Sequence, residues 1–337
     1  MKILITGGCG FIGSNFIRYI LNKYPSYKIA NLDALTYAGN KDNLKDIESD
    51  RRYQFIHGRI EDPDTVTGAL KDCDVIVNFA AESHVDRSIV NAQPFLVTNV
   101  IGLQVLLDLA KSLGIKKFIH ISTDEVYGSL DTDDGYFSED TSLSPNSPYS
   151  ASKAAGDLLI RSYIKTYEFP TIIIRPSNNY GPYQFPEKLV PLMITNLIDR
   201  RPVPVYGKGL NIRDWLYVGD TCSAIDLIMH KGNLGEIYNV GCADEKRNIE
   251  VVRKVVSLMG MGEDFIQFVP DRPGHDYRYA VDFSKLKEEL GWLPEINFEI
   301  GIEKTINWYK SNEWWWRPLK ERLNQESKGF WTENDTA

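Results

Sequence analysis

The sequence predicts an α/β fold: a doubly wound parallel sheet of the Rossmann type, followed by a smaller C-terminal lobe. Two observations lead to this prediction. Short apolar runs alternate with helix-length stretches through the first half of the 337-residue chain, and the first run leads directly into a glycine-rich loop and a helix. A βαβ series of this kind builds a parallel sheet with right-handed crossovers.

The predicted strands are mostly apolar on both faces, as strands covered by helices on each side must be. They cover residues 2–6, 28–32, 54–57, 75–79, 118–122 and 171–175. Helices are expected at 11–23, 65–71, 94–113, 150–167, 189–199, 220–230, 249–259 and 300–312. Within 94–113, apolar residues recur with the spacing of one helix face, at Val97, Val100, Ile101, Val105, Leu106 and Leu109.

The length is typical of about two domains at roughly 150 residues each. The first is expected at 1–175, with later strands added to its sheet from beyond 175. The smaller lobe is expected at 176–319, where it supplies most of a substrate pocket, and 320–337 form a tail.

Composition narrows the class of protein. The formal net charge of −8 argues against nucleic acid or an anionic membrane as the main partner, so an anionic ligand would need local Arg or Lys residues. The four cysteines are far apart, with no C-x-x-C pair and no His at metal-ligand spacing. We therefore expect reduced thiols, no metal site and a soluble cytoplasmic protein.

The glycine-rich loop has the spacing G-x-x-G-x-x-G at Gly7, Gly10 and Gly13. Glycines here let the backbone approach a diphosphate at a helix N-terminus. Asp33 closes the second strand, 20 residues past Gly13, where a carboxylate can bind ribose hydroxyls. It would repel a 2′-phosphate by roughly 4 kcal/mol at ~4 Å and an effective dielectric of ~20, which favours NAD over NADP. Alternatively, Asp33 is a turn residue or helix cap.

A Y-x-x-x-K pattern places Tyr149 and Lys153 on one helix face. A lysine ammonium beside an oxidised nicotinamide should lower the Tyr149 pKa toward neutrality, so that Tyr149 can act as a base. The pattern also occurs by chance on helix surfaces. Here it follows Ser122 and Thr123, at the end of a predicted strand, by 26 residues.

Two adjacent carboxylates, Asp124 and Glu125, come directly after that strand end, where doubly wound sheets bind ligands. A solvated turn or a helix cap is the alternative. Oxidation of a sugar at C4 makes its C5 proton acidic. One carboxylate can then remove that proton, while a second carboxyl protonates a departing C6 hydroxyl. The pair therefore indicates elimination in addition to oxidation.

These segments together resemble the extended short-chain dehydrogenase/reductase family and, within it, the dTDP-glucose 4,6-dehydratases. The resemblance spans residues 3 to about 318, through 6–14, 33–40, 80–88, 122–128, 145–149, 178–184, 213–216 and 271–276. It implies C4 oxidation by Tyr149 and Lys153, with Thr123 near the sugar O4. It also implies Asp124 as the acid, Glu125 as the base, and NAD as a cofactor that is regenerated in each turnover.

The resemblance implies two further sets of contacts. Cofactor contacts fall on Gly7, Gly10, Phe11, Ile12, Gly13, Asp33, Leu35, Thr36, Ile60, Phe79, Ala80, Ala81, Ser83, Thr98, Tyr149, Lys153 and Asn179. Sugar-nucleotide contacts fall on Ser83, Thr123, Asn178, Lys188, Leu189, Pro204, Tyr206, Arg213, Asn248, Arg272 and His275. Arg213 also makes independent sense as a diphosphate ligand, the alternative being a surface ion pair with Asp214.

The resemblance also implies a homodimer, formed through the helices at 94–113 and 150–167. The chain departs from the family at Arg59, where an acid before Ile60 commonly contacts adenine, and at Pro176 and Ser177, where Cys is frequent. We interpret the Trp cluster at 314–316 as a packing clamp.

Three other functions remain open. A 4-epimerase or decarboxylase of the same superfamily keeps the glycines, Tyr149 and Lys153, but does not need the Asp124–Glu125 pair. A dehydratase could act on a UDP-sugar, because thymine and uracil differ by one methyl group, worth ~1–3 kcal/mol in an apolar pocket. A non-catalytic NAD-binding regulator would have no reason to keep all the catalytic residues.

Overall fold

The computed structural model describes residues 1–326. Its strands are β1 (Lys2–Thr6), β2 (Lys28–Asp33), β3 (Tyr53–His57), β4 (Val75–Asn78), β5 (Lys117–Ile121), β6 (Thr171–Pro176), β7 (Asn178–Tyr180), β8 (Val203–Tyr206), β9 (Ile212–Tyr217), β10 (Ile237–Val240), β11 (Glu245–Arg247) and β12 (Ile266–Val269). Seven of them form one parallel sheet in the order β10-β6-β5-β4-β1-β2-β3. The predicted fold class is confirmed.

The helices are α1 (Phe11–Lys23), α2 (Pro63–Leu70), α3 (Val85–Val90), α4 (Gln93–Leu96), α5 (Leu103–Ser112), α6 (Pro148–Tyr167), α7 (Leu189–Ile198), α8 (Val218–Lys231), α9 (Asn248–Leu258), α10 (Ser284–Leu290), α11 (Phe298–Ser311) and α12 (Glu313–Glu326). The main sheet is covered on both faces. Its strands bury residues such as Ile5 and Leu4 in two separate clusters, one on each side. This explains why the strand sequences do not alternate with polar residues.

Strand order reverses between β1 and β4, and this switch point fixes where a ligand can bind. The chain proceeds outward from β1 to β2 and β3, then returns to β4 on the other side of β1. The loops at the carboxyl ends of β1 and β4 therefore diverge and leave a crevice between them. The glycine loop, residues 7–13, lies at this crevice.

One predicted helix is wrong in detail. The stretch 94–113 is helical, but a π-helical segment, Val97–Gly102, joins α4 to α5. The buried face of α5 consists of Leu103, Leu106, Leu107 and Ala110, whereas Val97 and Ile101 are exposed. A π-turn rotates the residues before it relative to those after it, so a single periodic pattern cannot describe both halves. The other predicted elements exist, with ends that differ by one or two residues.

By length and composition alone, the continuous helix Gln93–Ser112 could span a membrane. The core helices of soluble proteins pass the same test, and here the helix packs against α2 and α6.

The C-terminal half builds a second core. Two small sheets, β11-β9-β7 and β12-β8, pack with α7, α9, α11 and α12 around residues that include Met193, Val252, Ile302 and Trp316. Strand β10 lies at the edge of the main sheet, next to β6. The predicted start of a tail at residue 320 falls inside α12, and the remainder of that tail, 327–337, lies outside the described residues.

Candidate active site

Backbone atoms around the glycine loop leave no room for a side chain at Gly7 or Gly13. A Cβ on Gly7, whose φ is +69°, would lie 2.7 Å from the Ala80 backbone nitrogen, and one on Gly13 would lie 2.6 Å from the Gly7 carbonyl oxygen. Gly10 is the N-cap of α1, without a side-chain cap and without an acidic residue in the first turn. The backbone N–H groups at this helix end suit an anionic diphosphate.

Asp33 ends β2 with both carboxylate oxygens held by backbone. The Cys9 N–H donates to Oδ2 at 2.8 Å, and the Leu35 N–H donates to Oδ1 at 2.8 Å. These bonds lower the Asp33 pKa against the opposing effect of burial, which is larger and raises it. The carboxylate is therefore fixed beside the loop, with remaining lone pairs available to ribose hydroxyls. These residues fit NAD.

Most residues expected to contact the cofactor line one continuous cleft. They are Gly7, Gly10, Phe11, Ile12, Gly13, Asp33, Thr36, Ile60, Phe79, Ala80, Ala81, Ser83, Thr98, Tyr149 and Lys153. Leu35 and Asn179 do not line it. The Leu35 side chain packs against the main core, while the Asn179 side chain bonds Thr221 and the Ser177 carbonyl.

Arg59 lines the same cleft, where it lies beside a carboxylate. Its guanidinium is 3.8 Å from Glu61 Oε1. The same oxygen accepts a hydrogen bond from the Thr98 hydroxyl at 2.9 Å. Both Glu61 and Thr98 line the cleft. A carboxylate therefore lies in this part of the cleft two residues after Arg59, at Glu61.

Tyr149 and Lys153 lie on one face of α6, and both are buried. Lys153 Nζ donates to the Ile121 carbonyl at 2.7 Å, and burial lowers its pKa to about 8. Burial, and next the charge of Glu125, raises the Tyr149 pKa, while a hydrogen bond with Thr123 lowers it. The expectation that Lys153 lowers the Tyr149 pKa toward neutrality concerns the pair beside an oxidised nicotinamide, and it stays a prediction.

A buried network behind Lys153 was missed by the sequence analysis. His120 Nε2 is 3.5 Å from Lys153 Nζ and 3.9 Å from Asp157 Oδ1. Asp157 Oδ2 accepts from Arg175 Nε at 2.9 Å. Asp157 follows Lys153 by four residues on α6, so the helical spacing that paired Tyr149 with Lys153 would also have found it.

Asp124 and Glu125 open a short 3₁₀ helix, Asp124–Tyr127, capped by the Thr123 hydroxyl. Asp124 is 2% exposed, and its Oδ2 has no hydrogen-bond partner among residues 1–326. Burial, then the neighbouring Glu125, raises the Asp124 pKa well above its ordinary value. Burial also raises the Glu125 pKa, but Arg272, Arg213 and Lys188 oppose that rise. The two adjacent carboxyls thus have different environments, because three cations oppose the rise in the Glu125 pKa whereas Arg213 is the one of them that opposes the rise at Asp124.

Three cations, Lys188, Arg213 and Arg272, act electrostatically on Glu125, and we call them the basic cluster. Lys188 Nζ donates to the Ser83 carbonyl at 3.2 Å, and Arg272 Nη1 donates to Asp86 at 3.0 Å. Arg213 is 5% exposed and donates to the backbone carbonyls of residues 212, 276 and 277. Arg213 therefore does not form the alternative ion pair with Asp214, whose carboxylate accepts backbone N–H groups instead.

The remaining predicted substrate residues come from several loops and element ends. Tyr206 on β8 donates to Asp86, the same carboxylate that Arg272 contacts, and its ring meets His275 with centroids 6.0 Å apart. Asn178 begins β7, Leu189 begins α7, Asn248 begins α9, and Pro204 lies on β8. Asn178 Oδ1 and Asn248 Oδ1 are buried without a hydrogen-bond partner in the described chain. Within residues 1–326, no group of three His, Cys, Asp or Glu side chains could hold a metal ion.

Comparisons with known proteins agree with this geometry. The family model described as GDP-mannose 4,6 dehydratase matches residues 4–305. The low-salt glycan biosynthesis protein Agl12 of Haloferax volcanii is 50% identical over 313 residues, covering 93% of this chain and 100% of that protein.

Two solved structures are also similar over nearly the whole chain. A dTDP-glucose 4,6-dehydratase from Bacillus anthracis in complex with NAD is 51% identical, with a TM-score of 0.89, covering 95% of this chain and 99% of that one. A dTDP-glucose 4,6-dehydratase from Streptomyces venezuelae with NAD and TYD bound is 46% identical, with a TM-score of 0.92, covering 95% and 100%. The chain belongs to the GDP-mannose 4,6 dehydratase family, in the branch of the dTDP-glucose 4,6-dehydratases.

Proposed function

We propose that the chain is an NAD-dependent dTDP-glucose 4,6-dehydratase, a hydro-lyase that forms dTDP-4-keto-6-deoxyglucose. The observation that carries this proposal is the adjacent pair of buried Asp124 and half-buried Glu125 beside Tyr149 and Lys153. An epimerase working at C4 needs the Tyr–Lys face but has no step that requires two carboxyls of different proton affinity.

The residues that line the cleft would hold NAD, which would supply the chemistry for hydride removal at C4 and hydride return at C6. The protein supplies the proton transfers and the orientation. Tyr149 takes the proton of the C4 hydroxyl, and Thr123, whose side chain bonds Tyr149, orients that hydroxyl. Lys153 holds positive charge below the tyrosine, which favours the phenolate as the proton leaves the sugar.

Elimination then divides between the two carboxyls. Glu125 removes the C5 proton, and the charges of Arg272, Arg213 and Lys188 oppose the rise that burial gives its pKa. Burial, and next the charge of Glu125, raises the Asp124 pKa well above its ordinary value, which favours Asp124 as the acid that protonates the departing C6 hydroxyl. The environments of the two side chains support this assignment of base and acid.

The nucleotide diphosphate binds the basic cluster. Lys188, Arg213 and Arg272 come from three separate segments and all act on Glu125, so they converge on one place. In a chain of net charge −8 they are a local exception, and guanidinium groups match diphosphate oxygens. Asn178 and Asn248 add buried amide oxygens that can accept hydrogen bonds from the nucleotide or sugar.

A homodimer fits the outer faces of the helices that cover the sheet. The continuous helix from α4 to α5 and its neighbour α6 leave large apolar side chains in solvent: Leu96 at 51%, Ile101 at 54% and Leu158 at 56% exposure. An isologous pairing would bury them, and twofold dimers are the commonest oligomers.

The acidic enzyme works in the cytoplasm, without nucleic acid or membrane as partner. Residues 1–175 with β10 form its NAD-binding unit, and 176–319 mainly bind the sugar nucleotide.

The test is product formation by the full chain with NAD and dTDP-glucose. Dehydration yields a 4-keto sugar that develops an absorbance in alkali, and the rate should be highest with dTDP-glucose when UDP-glucose and N-acetylated analogues are compared by kcat/KM. A C4 epimer without the alkali chromophore would identify an epimerase. Binding of NAD with no turnover of any sugar nucleotide would identify a regulator.

A further inference from the structure

The helix α12 carries two adjacent buried indoles that donate to different partners. Trp316 is fully buried, and its Nε1–H donates to the Tyr309 carbonyl at 2.9 Å, within the C-terminal lobe. Trp315 is 2% exposed, and its Nε1–H donates to Asn43 Oδ1 at 2.7 Å. Trp315 therefore contacts a segment of the NAD-binding unit, 272 residues earlier in the chain.

Asn43 connects Trp315 to the glycine loop through a second hydrogen bond. Its Nδ2 donates to the Cys9 carbonyl at 2.8 Å. An indole N–H can only donate and a carbonyl can only accept, so only one orientation of the Asn43 amide satisfies both partners. Asn43 is 1% exposed, and water cannot replace either bond at low cost.

Cys9 lies between Gly8 and Gly10, the N-cap of α1. Its carbonyl also accepts the Asn40 N–H at 3.0 Å, and its own N–H donates to Asp33 Oδ2 at 2.8 Å. The Cys9 N–H is thus fixed by Asp33, the proposed ribose ligand, and the Cys9 carbonyl is fixed by the segment 40–43. The direction of the N–H groups at the start of α1 depends on this residue.

A second contact joins the same helix to the cofactor cleft. The Arg322 guanidinium donates to the Tyr37 carbonyl. The Cζ atom of Arg322 lies 5.7 Å from the centroid of the Phe185 ring. Both Tyr37 and Phe185 line the cleft. Helix α12 therefore contacts two separate segments of the cleft wall, although no residue of α12 itself lines the cleft.

We infer that Trp315 is a positioning residue for NAD: through Asn43 it fixes the Cys9 carbonyl and so the glycine loop that receives the diphosphate. Helix α12 then contributes to cofactor affinity and not only to the core of the C-terminal lobe. This inference rests on the proposed role of the glycine loop and Asp33 in binding NAD.

The test compares Trp315→Phe with Trp316→Phe in the full chain. Each substitution keeps an aromatic side chain and removes one buried indole N–H, but only Trp315 leads to the glycine loop. Trp315→Phe should raise the Kd for NAD by about 5–10-fold, the effect of one hydrogen bond, while Trp316→Phe should leave it within about 2-fold. The kcat at saturating NAD should stay close to wild type in both, and urea midpoints should fall by similar amounts.

A double-mutant cycle adds a second readout. Asn43→Ala should raise the Kd for NAD as Trp315→Phe does, and the double variant should be no weaker than Asn43→Ala alone, because the two side chains act in series. Equal losses of NAD affinity in Trp315→Phe and Trp316→Phe, or additive losses in the double variant, would overturn the inference. If Trp315→Phe does not fold, Asn43→Ala alone decides: an unchanged Kd overturns the inference and a raised one supports it.

Asp33→Ala separates this inference from the proposed function. A raised Kd in Asp33→Ala with an unchanged Kd in Trp315→Phe contradicts only the role of Trp315. An unchanged Kd in Asp33→Ala contradicts the glycine loop as the NAD site, and with it both proposals.

Discussion

The region around Asp33 and the glycine loop, which we call the cofactor half, differs from the region around Asp124 and Glu125, the catalytic half, in how these buried polar groups are satisfied. In the cofactor half, both oxygens of Asp33 accept backbone N–H groups, and Asn43 uses both ends of its amide. In the catalytic half, Asp124 Oδ2 and Asn248 Oδ1 are buried without protein partners in the described chain. Unpaired buried polar atoms are costly for stability. The unpaired atoms therefore lower the stability of the folded protein in the half where bonds change during the reaction.

The same contrast separates affinity from chemistry. A preformed hydrogen-bonded site binds a cofactor that stays through each turnover, and changes there should alter Kd. The catalytic half has perturbed carboxyls, and changes there should alter the rate of individual steps. The following predictions test this division, from the largest expected effect to the smallest.

Tyr149→Phe should abolish both chemical steps. The base for the C4 hydroxyl is lost, so NADH absorbance in single turnover and 4-keto product should fall together, by about 10⁴, the upper end of the effect of one acid–base group. Tyr163→Phe is the matched control, a buried tyrosine on the same helix whose hydroxyl bonds Asp108. NADH formation at the normal rate in Tyr149→Phe would show that another group is the base.

Asp124→Asn should separate the two steps. It keeps the shape of the side chain but removes the proton donor, so product formation should fall by about 10²–10⁴ while NADH still appears in single turnover. Near-normal product would make Asp124 a turn residue. Loss of NADH formation as complete as in Tyr149→Phe would place its role in binding or oxidation.

Glu125→Gln is the companion to that experiment. Removal of the C5 proton should slow, and deuterium from solvent should enter C5 less rapidly, while NADH formation persists. Unchanged deuterium incorporation would assign the base at C5 to another residue. If Asp124→Asn slows incorporation more than Glu125→Gln does, the two roles are exchanged.

Asp33→Asn should change cofactor preference with little effect on the chemistry. The wild-type carboxylate disfavours a 2′-phosphate by roughly 4 kcal/mol of charge repulsion, so the ratio of NAD to NADP affinity should drop by about 10³ in the variant. Binding is measured by titration with each cofactor. Wild-type protein that uses NADP as well as NAD would contradict the role of Asp33 and weaken the contrast between the halves.

The pH dependence of C4 oxidation should report Lys153. Burial lowers its pKa to about 8, so the ammonium is present below that pH and is lost above it. The single-turnover rate of NADH formation should therefore decline as pH rises through about 8. Lys153→Arg, which keeps its charge, should move this decline to higher pH, whereas an unmoved decline would assign it to another group.

The sequence predicted the cofactor half more completely than the catalytic half, for a physical reason. The glycine loop and Asp33 lie on consecutive elements, so their spacing along the chain carries the geometry. The basic cluster combines Lys188, Arg213 and Arg272 from segments that meet only in the folded chain, and only the family resemblance brought them together. The π-turn after α4 and the Asp157 network depend on packing and were missed.

Lys153 shows a further limit. Its spacing to Tyr149 places both residues on one face of α6, but that spacing does not reveal that Lys153 Nζ donates to the carbonyl of Ile121. Sequence spacing fixes which side chains share a helix face. The hydrogen bond each one makes depends on acceptors from other elements.

The long separation between Trp315 and Asn43 has a consequence for synthesis of the protein. The two residues are 272 positions apart. At roughly 5–20 residues per second, translation takes about 15–50 s to pass from one to the other. During that interval the glycine loop has already left the ribosome but lacks the indole that holds Asn43. A nascent chain can therefore bind NAD with full affinity only after α12, which contains Trp315, has been synthesised.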